Sequence, residues 1–131
     1  MQTPKILIVD DEEETRRLIR EHLVNRMECT IIEAANGYKA LERFQNEQID
    51  LILLDMKMPG ISGTDVMKKI REVSPDVPII VISGWEGAAV SKHVEQCGAD
   101  EYITKPFSLK IVRAKVEERL KKTGKFFPKQ I

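Results

Sequence analysis

Short apolar runs alternate with amphipathic segments along most of the 131-residue chain. Five runs rich in β-branched residues predict strands at residues 5–9, 29–34, 51–54, 78–82 and 101–104. The segments between them carry apolar residues every three or four positions, which is typical of helices. Strands that are apolar on both faces and separated by helices pair in parallel, because each right-handed crossover lays a helix against the sheet. The pattern therefore predicts an α/β fold, a three-layer α/β/α sandwich around a parallel sheet of five strands.

Length and composition predict one globular domain with no preference for a charged polymer. The chain has 42% apolar and 32% charged residues, and its 21 Lys and Arg residues balance 21 Asp and Glu residues. This balance does not favour binding to nucleic acid or to an anionic membrane. The apolar runs are too short to cross a bilayer, and the first leads directly into acidic residues, unlike a signal peptide. We expect a cytoplasmic protein with a folded domain at 1–122 and a basic tail or linker at 123–131.

Polar side chains follow four of the five predicted strands, where parallel strands present their carboxyl ends at one edge of the sheet. They are Asp10 and Asp11 after the first strand, Asp55 after the third, Ser83 after the fourth, and Lys105 and Pro106 after the fifth. Each has an ordinary explanation on its own, since acids are favourable at helix starts and serine and proline are frequent in turns and at helix starts. Their joint occurrence at one edge favours a binding site.

Three clustered carboxylates need a positive partner. Each close pair of like charges costs about 4 kcal/mol at an effective dielectric constant near 20. Mg²⁺ suits two carboxylates, a backbone carbonyl and several waters, because it retains part of its hydration shell. Lys105 can add a fixed positive charge. The sequence therefore predicts a magnesium site at this edge.

Four segments carry a resemblance to a known family. "ILIVDD", "LILLDMKMPGISG", "VISG" and "YITKPF" resemble, in order, the signature segments of the receiver domain of bacterial two-component response regulators. The resemblance covers about residues 5–120 and implies the doubly wound, flavodoxin-like fold of CheY-like receivers. It also implies a phosphoprotein that accepts a phosphoryl group on Asp55 from a sensor histidine kinase or a histidine phosphotransferase. The strings "DMK" and "AANG" are similar to those of single-domain phosphorelay receivers.

The same resemblance implies a role for each acidic residue of the site. Asp11, Asp55 and the backbone carbonyl of Lys57 would bind Mg²⁺ directly, and Asp10 would bind it through water. The Lys57 side chain, two residues after the acceptor, could shield the phosphoryl group or guide a histidine-bearing partner.

Residues after the fourth and fifth strands would form the switch. The resemblance makes Ser83 the hydroxyl that bonds a phosphoryl oxygen and Lys105 the cation on the other side. It implies a cis peptide bond before Pro106 and makes Tyr102 the aromatic residue whose rotamer reports activation. The output face would be the fourth helix, fifth strand and fifth helix, which would contact a downstream protein or output domain or form a homodimer on phosphorylation.

Three other functions fit the sequence less well. A phosphatase of the haloacid dehalogenase type places its nucleophile after the first strand and a second acid two residues later, where this chain has Lys57. A flavin-binding module needs a phosphate-binding backbone after the first strand, and the acidic run at 10–14 would repel a phosphate. A receiver that only binds proteins would not need the acidic pair, Ser83 and Lys105. We therefore expect a signalling domain that catalyses only its own phosphorylation and dephosphorylation.

Several residues outside this site remain open to more than one interpretation. Trp85 is either a partner contact or a loop filler, and "FFP" at 126–128 is a segment docked on the domain, the start of a linker, or a partner-binding motif. His22 and His93 are expected on helix surfaces without a metal or catalytic role, since neither has a second ligand at suitable spacing. Cys29 and Cys97 are expected to be free, wholly or half-buried thiols.

Overall fold

The computed structural model describes residues 3–84 and 88–130. Strands and helices alternate in the order β1 (Lys5–Val9), α1 (Glu13–Val24), β2 (Thr30–Ala34), α2 (Gly37–Asn46), β3 (Leu51–Asp55), α3 (Gly63–Val73), β4 (Ile79–Ser83), α4 (Ala88–Gln96), β5 (Glu101–Thr104) and α5 (Leu109–Lys122). The five strands form one sheet in the order β2-β1-β3-β4-β5, and every neighbouring pair is parallel. The predicted sandwich and its parallel sheet are confirmed.

Strand boundaries differ from the predicted ones by one residue in four places. β2 begins at Thr30 rather than at residue 29, β4 begins at Ile79 rather than at residue 78, and β3 and β4 each continue by one polar residue, Asp55 and Ser83. The Met56 N–H donates to the carbonyl of Ile82, which extends the β3–β4 ladder beyond its apolar part. The two polar residues therefore belong to the strands and not to the loops that follow.

The core consists of two apolar layers, one on each face of the sheet. One layer joins alternate strand residues to α1 and α5 through side chains such as Ile19, Leu23 and Val116. The other joins the remaining strand residues to α2, α3 and α4 through side chains such as Ala40 and Met67. Because β1, β3 and β4 are covered on both faces, almost all their residues are buried, which explains their continuous apolar runs.

Three apolar residues of the helical repeats lie at the surface. Leu18 is 43%, Ile111 51% and Val73 74% exposed, so these residues lie outside the buried stripe of their helices. Within the described ranges, no helix has the combination of length and apolar character that crossing a membrane requires.

The segment after α5 folds back onto the domain. Gly124 has a φ of 74°, a left-handed conformation that glycine adopts without steric cost and that ends the helix. The Phe126 ring then packs against the α1–α5 side of the core, 4.9 Å from the Lys121 ammonium. The Glu28 N–H donates to the carbonyl of Phe127 at 2.8 Å. Of the three interpretations of "FFP", the structure shows docking against the domain.

Candidate functional site

Strand register brings the acidic residues and the lysine to one place. Val9 of β1 pairs with Leu54 of β3, and these two strands are neighbours at the centre of the sheet. Asp10 and Asp55 are the next residues after this pair and therefore lie side by side. Ser83 pairs with Thr104, so Lys105 comes directly after the residue opposite Ser83. A small shift in register would separate these side chains, because neighbouring residues of a strand point to opposite faces. The parallel sheet itself therefore builds this site.

Asp55 lies at the centre of the cluster and is only 4% exposed. Its Oδ2 accepts a hydrogen bond from Lys105 Nζ at 3.2 Å, and its Oδ1 accepts one from the Lys57 backbone N–H at 3.2 Å. Burying a carboxylate is unfavourable unless it is paired and hydrogen-bonded, and here both oxygens have a donor. The same side chain borders a cleft lined by Asp11, Lys57, Met58 and other residues, so it remains accessible from one side.

Asp10 is equally buried, at 4% exposure, and carries an unfavourable charge. Burial raises the pKa of Asp10 above its ordinary value, the negative charges of Asp55 and Asp11 add to the increase, and a hydrogen bond from the Glu12 N–H opposes it. Lys105 Nζ lies 3.7 Å from Asp10 Oδ2 and also favours the ionised form. One ammonium therefore compensates only part of the negative charge.

The pKa of Lys105 reflects the same excess of negative charge in the cluster. Burial lowers the pKa of Lys105, but the carboxylates of Asp55 and Asp10 outweigh burial and leave that pKa above its ordinary value. The ammonium is thus held in its charged form beside two acids.

A cation would complete this arrangement. Ligand oxygens of Asp10, Asp11 and Asp55 all lie within 4.8 Å of one another, and Asp11 is exposed at the cleft. Carboxylate oxygens are the ligands that Mg²⁺ prefers, and an open side leaves room for its waters. The donor set and the uncompensated charge of Asp10 therefore fit a hard divalent cation.

Ser83 and the loop after β5 lie beside the acidic cluster. Ser83 is buried, at 1% exposure, and its carbonyl accepts a hydrogen bond of 2.7 Å from the Lys105 backbone N–H. The peptide bond between Lys105 and Pro106 is cis. Tyr102 is half-buried and packs against the α2–α3–α4 side of the core. Trp85 falls outside the described residues, as do the other two residues at 86–87.

The remaining residues left open by the sequence lie away from the cluster. His93 is exposed, whereas His22 is partly buried between α1 and α5, where its two ring nitrogens lie 3.2 and 3.4 Å from guanidinium nitrogens of Arg26 and Arg113. Cys29 and Cys97 are free thiols of intermediate burial, as predicted.

Two residues that sequence analysis missed support the acidic pair. Arg16 of α1 donates from NH1 to the backbone carbonyl of Asp10 at 2.6 Å and from Nε to Glu33 Oε1 at 3.0 Å. Glu33 lies on β2, where it interrupts the apolar run "TIIEA". An acid in such a run was the available signal, but its partner on a helix 17 residues earlier gave no local pattern.

An all-parallel sheet with a buried carboxylate at the end of β3, an acidic pair after β1 and a lysine after β5 is the arrangement that the resemblance to signalling receiver domains implies. Comparison with known proteins identifies the family. Residues 6–117 match the family model described as the response regulator receiver domain, and the chain belongs to that family. The family is one of signalling domains, and the predicted two-component receiver is confirmed.

The curated relatives that match this chain differ in their own length. The chain is 40% identical over 120 residues to the transcriptional regulatory protein ResD of Bacillus subtilis, covering 92% of this chain and 49% of that protein. It is 32% identical over 120 residues to sporulation initiation phosphotransferase F of the same organism, covering 92% of this chain and 96% of that protein. The chain spans about half the length of several curated relatives that it matches.

Solved structures agree with the fold. A CheY-like response regulator receiver domain from Methanospirillum hungatei has a TM-score of 0.86 and 28% identity, covering 95% of this chain and 98% of that one. A Francisella response regulator receiver domain has a TM-score of 0.87 and 26% identity, covering 92% and 99% of the two chains. The flavodoxin-like topology predicted from the sequence is thereby confirmed.

Proposed function

We propose that this domain accepts a phosphoryl group on Asp55 from a phosphohistidine of a sensor histidine kinase or histidine phosphotransferase. The observation that carries the proposal is the placement of Asp55: a buried carboxylate that borders an open cleft, 3.2 Å from Lys105 Nζ and within 4.8 Å of two further acids. A carboxylate is a weak nucleophile, so the reaction depends on position and on electrostatic stabilisation rather than on nucleophile strength.

Mg²⁺ is the proposed cofactor. Asp11, Asp55 and the Lys57 backbone carbonyl would hold it directly and Asp10 through water, and it would offset negative charge on the phosphoryl oxygens. The Lys57 N–H already bonds Asp55 Oδ1, which supports a β3–α3 loop that is fixed relative to the acceptor. Gly63 tightens the same loop, since a Cβ there would come within 2.8 Å of the Met56 Cα.

In the transfer step, a carboxylate oxygen of Asp55 attacks phosphorus in line with the P–N bond of the donor. A P–O bond forms as the P–N bond breaks, and the P–N electron pair returns to the imidazole of the partner. Lys105 is poised to stabilise the phosphoryl oxygens, because its ammonium already lies beside the carboxylate that would receive them. The acyl phosphate product carries about 1.5 to 2 negative charges at neutral pH, in place of the single charge of the carboxylate.

Signal output would begin with the ends of β4 and β5. Ser83 and Lys105 would be drawn toward the phosphoryl group, and Tyr102 would follow into the space that Ser83 vacates. The hydrogen bond from the Lys105 N–H to the Ser83 carbonyl supports this coupling, because it ties the two strand ends together. The proposed output face is α4–β5–α5, acting in the cytoplasm on a downstream protein, an output domain or a second copy of the chain.

The test is covalent labelling by acetyl phosphate with Mg²⁺, followed by intact-mass spectrometry. Wild-type protein should gain one phosphoryl group, whereas Asp55→Asn should gain none. Asp76→Asn is the matched control, because Asp76 is an exposed loop residue with no ion pair within the described parts of the chain. Labelling of Asp55→Asn at the wild-type level would remove Asp55 from its proposed role.

A further inference from the structure

Asp10 is held at three points that leave one carboxylate oxygen for the site. Its backbone N–H donates to the Ala34 carbonyl at 3.1 Å, and its Oδ1 accepts from the Glu12 N–H at 2.9 Å. Its backbone carbonyl accepts from Arg16 NH1 at 2.6 Å. The remaining oxygen, Oδ2, is the one that lies 3.7 Å from Lys105 Nζ. These bonds fix both the main chain and the side chain of Asp10.

The hydrogen bond from Arg16 also fixes the position of the Asp11 backbone nitrogen. The Asp10 carbonyl and the Asp11 N–H belong to one planar peptide unit, so holding the carbonyl holds the whole plane. The Asp11 side chain is exposed, and the described residues contribute no hydrogen bond to its carboxylate. The position of Asp11 therefore depends on its backbone, which Arg16 anchors at the Asp10–Asp11 peptide and the Asp10 carboxylate anchors at the Glu12 N–H.

Glu33 keeps the Arg16 guanidinium in place. Its Oε1 accepts from Arg16 Nε at 3.0 Å, while its Oε2 pairs with Arg20. The Arg16 side chain is only 13% exposed, so its fork is held between β2 and the end of β1. A planar guanidinium can donate in two directions at once, which a lysine ammonium on a flexible stem does less well.

We propose that Arg16, oriented by Glu33, is a positioning residue for the cation site: it fixes the peptide plane between Asp10 and Asp11 and so raises the affinity for Mg²⁺. The inference rests on the proposed function, since it assigns a supporting group to the same site. Groups that orient metal ligands typically contribute about 10-fold to 100-fold in metal affinity. Arg16 would exert this effect without binding the cation.

The experiment compares Arg16→Met with Arg17→Met by calorimetric titration of the metal-free proteins with MgCl₂. Arg17 is the matched control, because it is the next residue of α1 and its only ion-pair partners among the described residues are Glu14 and Glu21 on the exposed face. We expect Arg16→Met to weaken Mg²⁺ binding about 10-fold or more, and Arg17→Met to leave it unchanged. Arg16→Lys should fall between wild type and Arg16→Met.

A second readout separates positioning from a general loss of structure. Labelling of Arg16→Met by acetyl phosphate should be slow at the Mg²⁺ concentration that half-saturates the wild-type protein, and should recover when Mg²⁺ is raised about 10-fold or more. A variant that is merely misfolded would not recover. If Arg16→Met does not fold, the same two measurements on Glu33→Gln test the proposal. That substitution keeps the side-chain volume and weakens only the charge-assisted bonds.

Two failures are distinguishable. Wild-type affinity for Mg²⁺ in folded Arg16→Met, or in folded Glu33→Gln where that variant decides, would overturn this inference and leave the proposed function standing. Absence of Mg²⁺ binding and labelling in the wild-type protein would instead overturn the proposed function, and this inference with it.

Discussion

Replacing Asp10 with Asn should stabilise the metal-free protein. Asp10 is 4% exposed and lies in a cluster whose other acids are Asp11 and Asp55. Asparagine has nearly the same volume, and its Oδ1 can still accept the hydrogen bond from the Glu12 N–H. The substitution therefore removes a charge while it preserves the local geometry.

The magnitude follows from the charges that surround Asp10. Two like charges 4.8 Å apart repel by about 3.5 kcal/mol at an effective dielectric constant of 20. Loss of the attraction to Lys105 at 3.7 Å costs about 4.5 kcal/mol on the same scale, so these two charge interactions nearly cancel with a small excess against the variant. The exposed Asp11 contributes less because water screens it. Burial then decides the sign, since burial is the largest cause of the raised pKa of Asp10. We expect a gain of about 1 to 2 kcal/mol, which is about 3 to 8 °C in Tm for a domain of this size.

Urea denaturation and thermal melting in EDTA measure the effect, with Asp76→Asn as the control for loss of an exposed acid. Excess Mg²⁺ should reverse the order: at a hundredfold excess over Kd, binding stabilises wild type by about 2.7 kcal/mol, and the variant gains less because it lacks one ligand. A less stable Asp10→Asn in EDTA would show that Lys105 already compensates the cluster, and the argument for a cation would fail.

Three further variants have expected outcomes. Lys105→Met should tighten Mg²⁺ binding measured by calorimetry, because a competing ammonium is removed, and should slow labelling by acetyl phosphate; faster labelling would contradict its role. Phe126→Ala should lower the free energy of unfolding by about 1 to 3 kcal/mol, because a half-buried ring is lost from the core. The same variant should speed alkylation of Cys29, whose pKa burial raises to about 11, and an unchanged alkylation rate would show that the tail does not cover the thiol. Burial and the flanking arginines lower the pKa of His22, so its contribution to stability is present above pH 6.5 and is lost as pH falls through the lowered value. His22→Gln should flatten that part of the pH–stability curve in urea melts, and an unaltered curve would contradict the assignment.

Sequence patterns predicted the residues whose position depends on the sheet. Asp55 and Ser83 end apolar runs, and parallel pairing alone brings the ends of such runs to one edge. The exact strand ends were displaced by one residue, because hydrogen bonds such as that from the Met56 N–H continue past the last apolar side chain. Hydrophobicity marks what is buried, and it does not mark where the ladder stops.

Side chains that act across elements could not be predicted in the same way. Arg16 and Glu33 belong to a helix and an edge strand, and neither has a neighbour in sequence that reveals the pair. Arg16 reads locally as one more basic residue of an amphipathic helix. Its contact with the Asp10 carbonyl exists only because α1 lies against the end of β1.

The docked segment at 125–129 lies away from the β5 edge of the proposed output face. Phe127 and Lys129 exchange hydrogen bonds with residues that precede β2, so the segment at 125–129 lies next to the α1–β2 connection. The proposed output face, α4–β5–α5, includes the opposite edge strand of the sheet. A change that begins at Ser83 and Tyr102 can therefore alter the β5 edge while the docked segment keeps its contacts with residues 26–28. Output through the β5 edge then does not require release of the segment, and Phe126→Ala should leave phosphorylation intact.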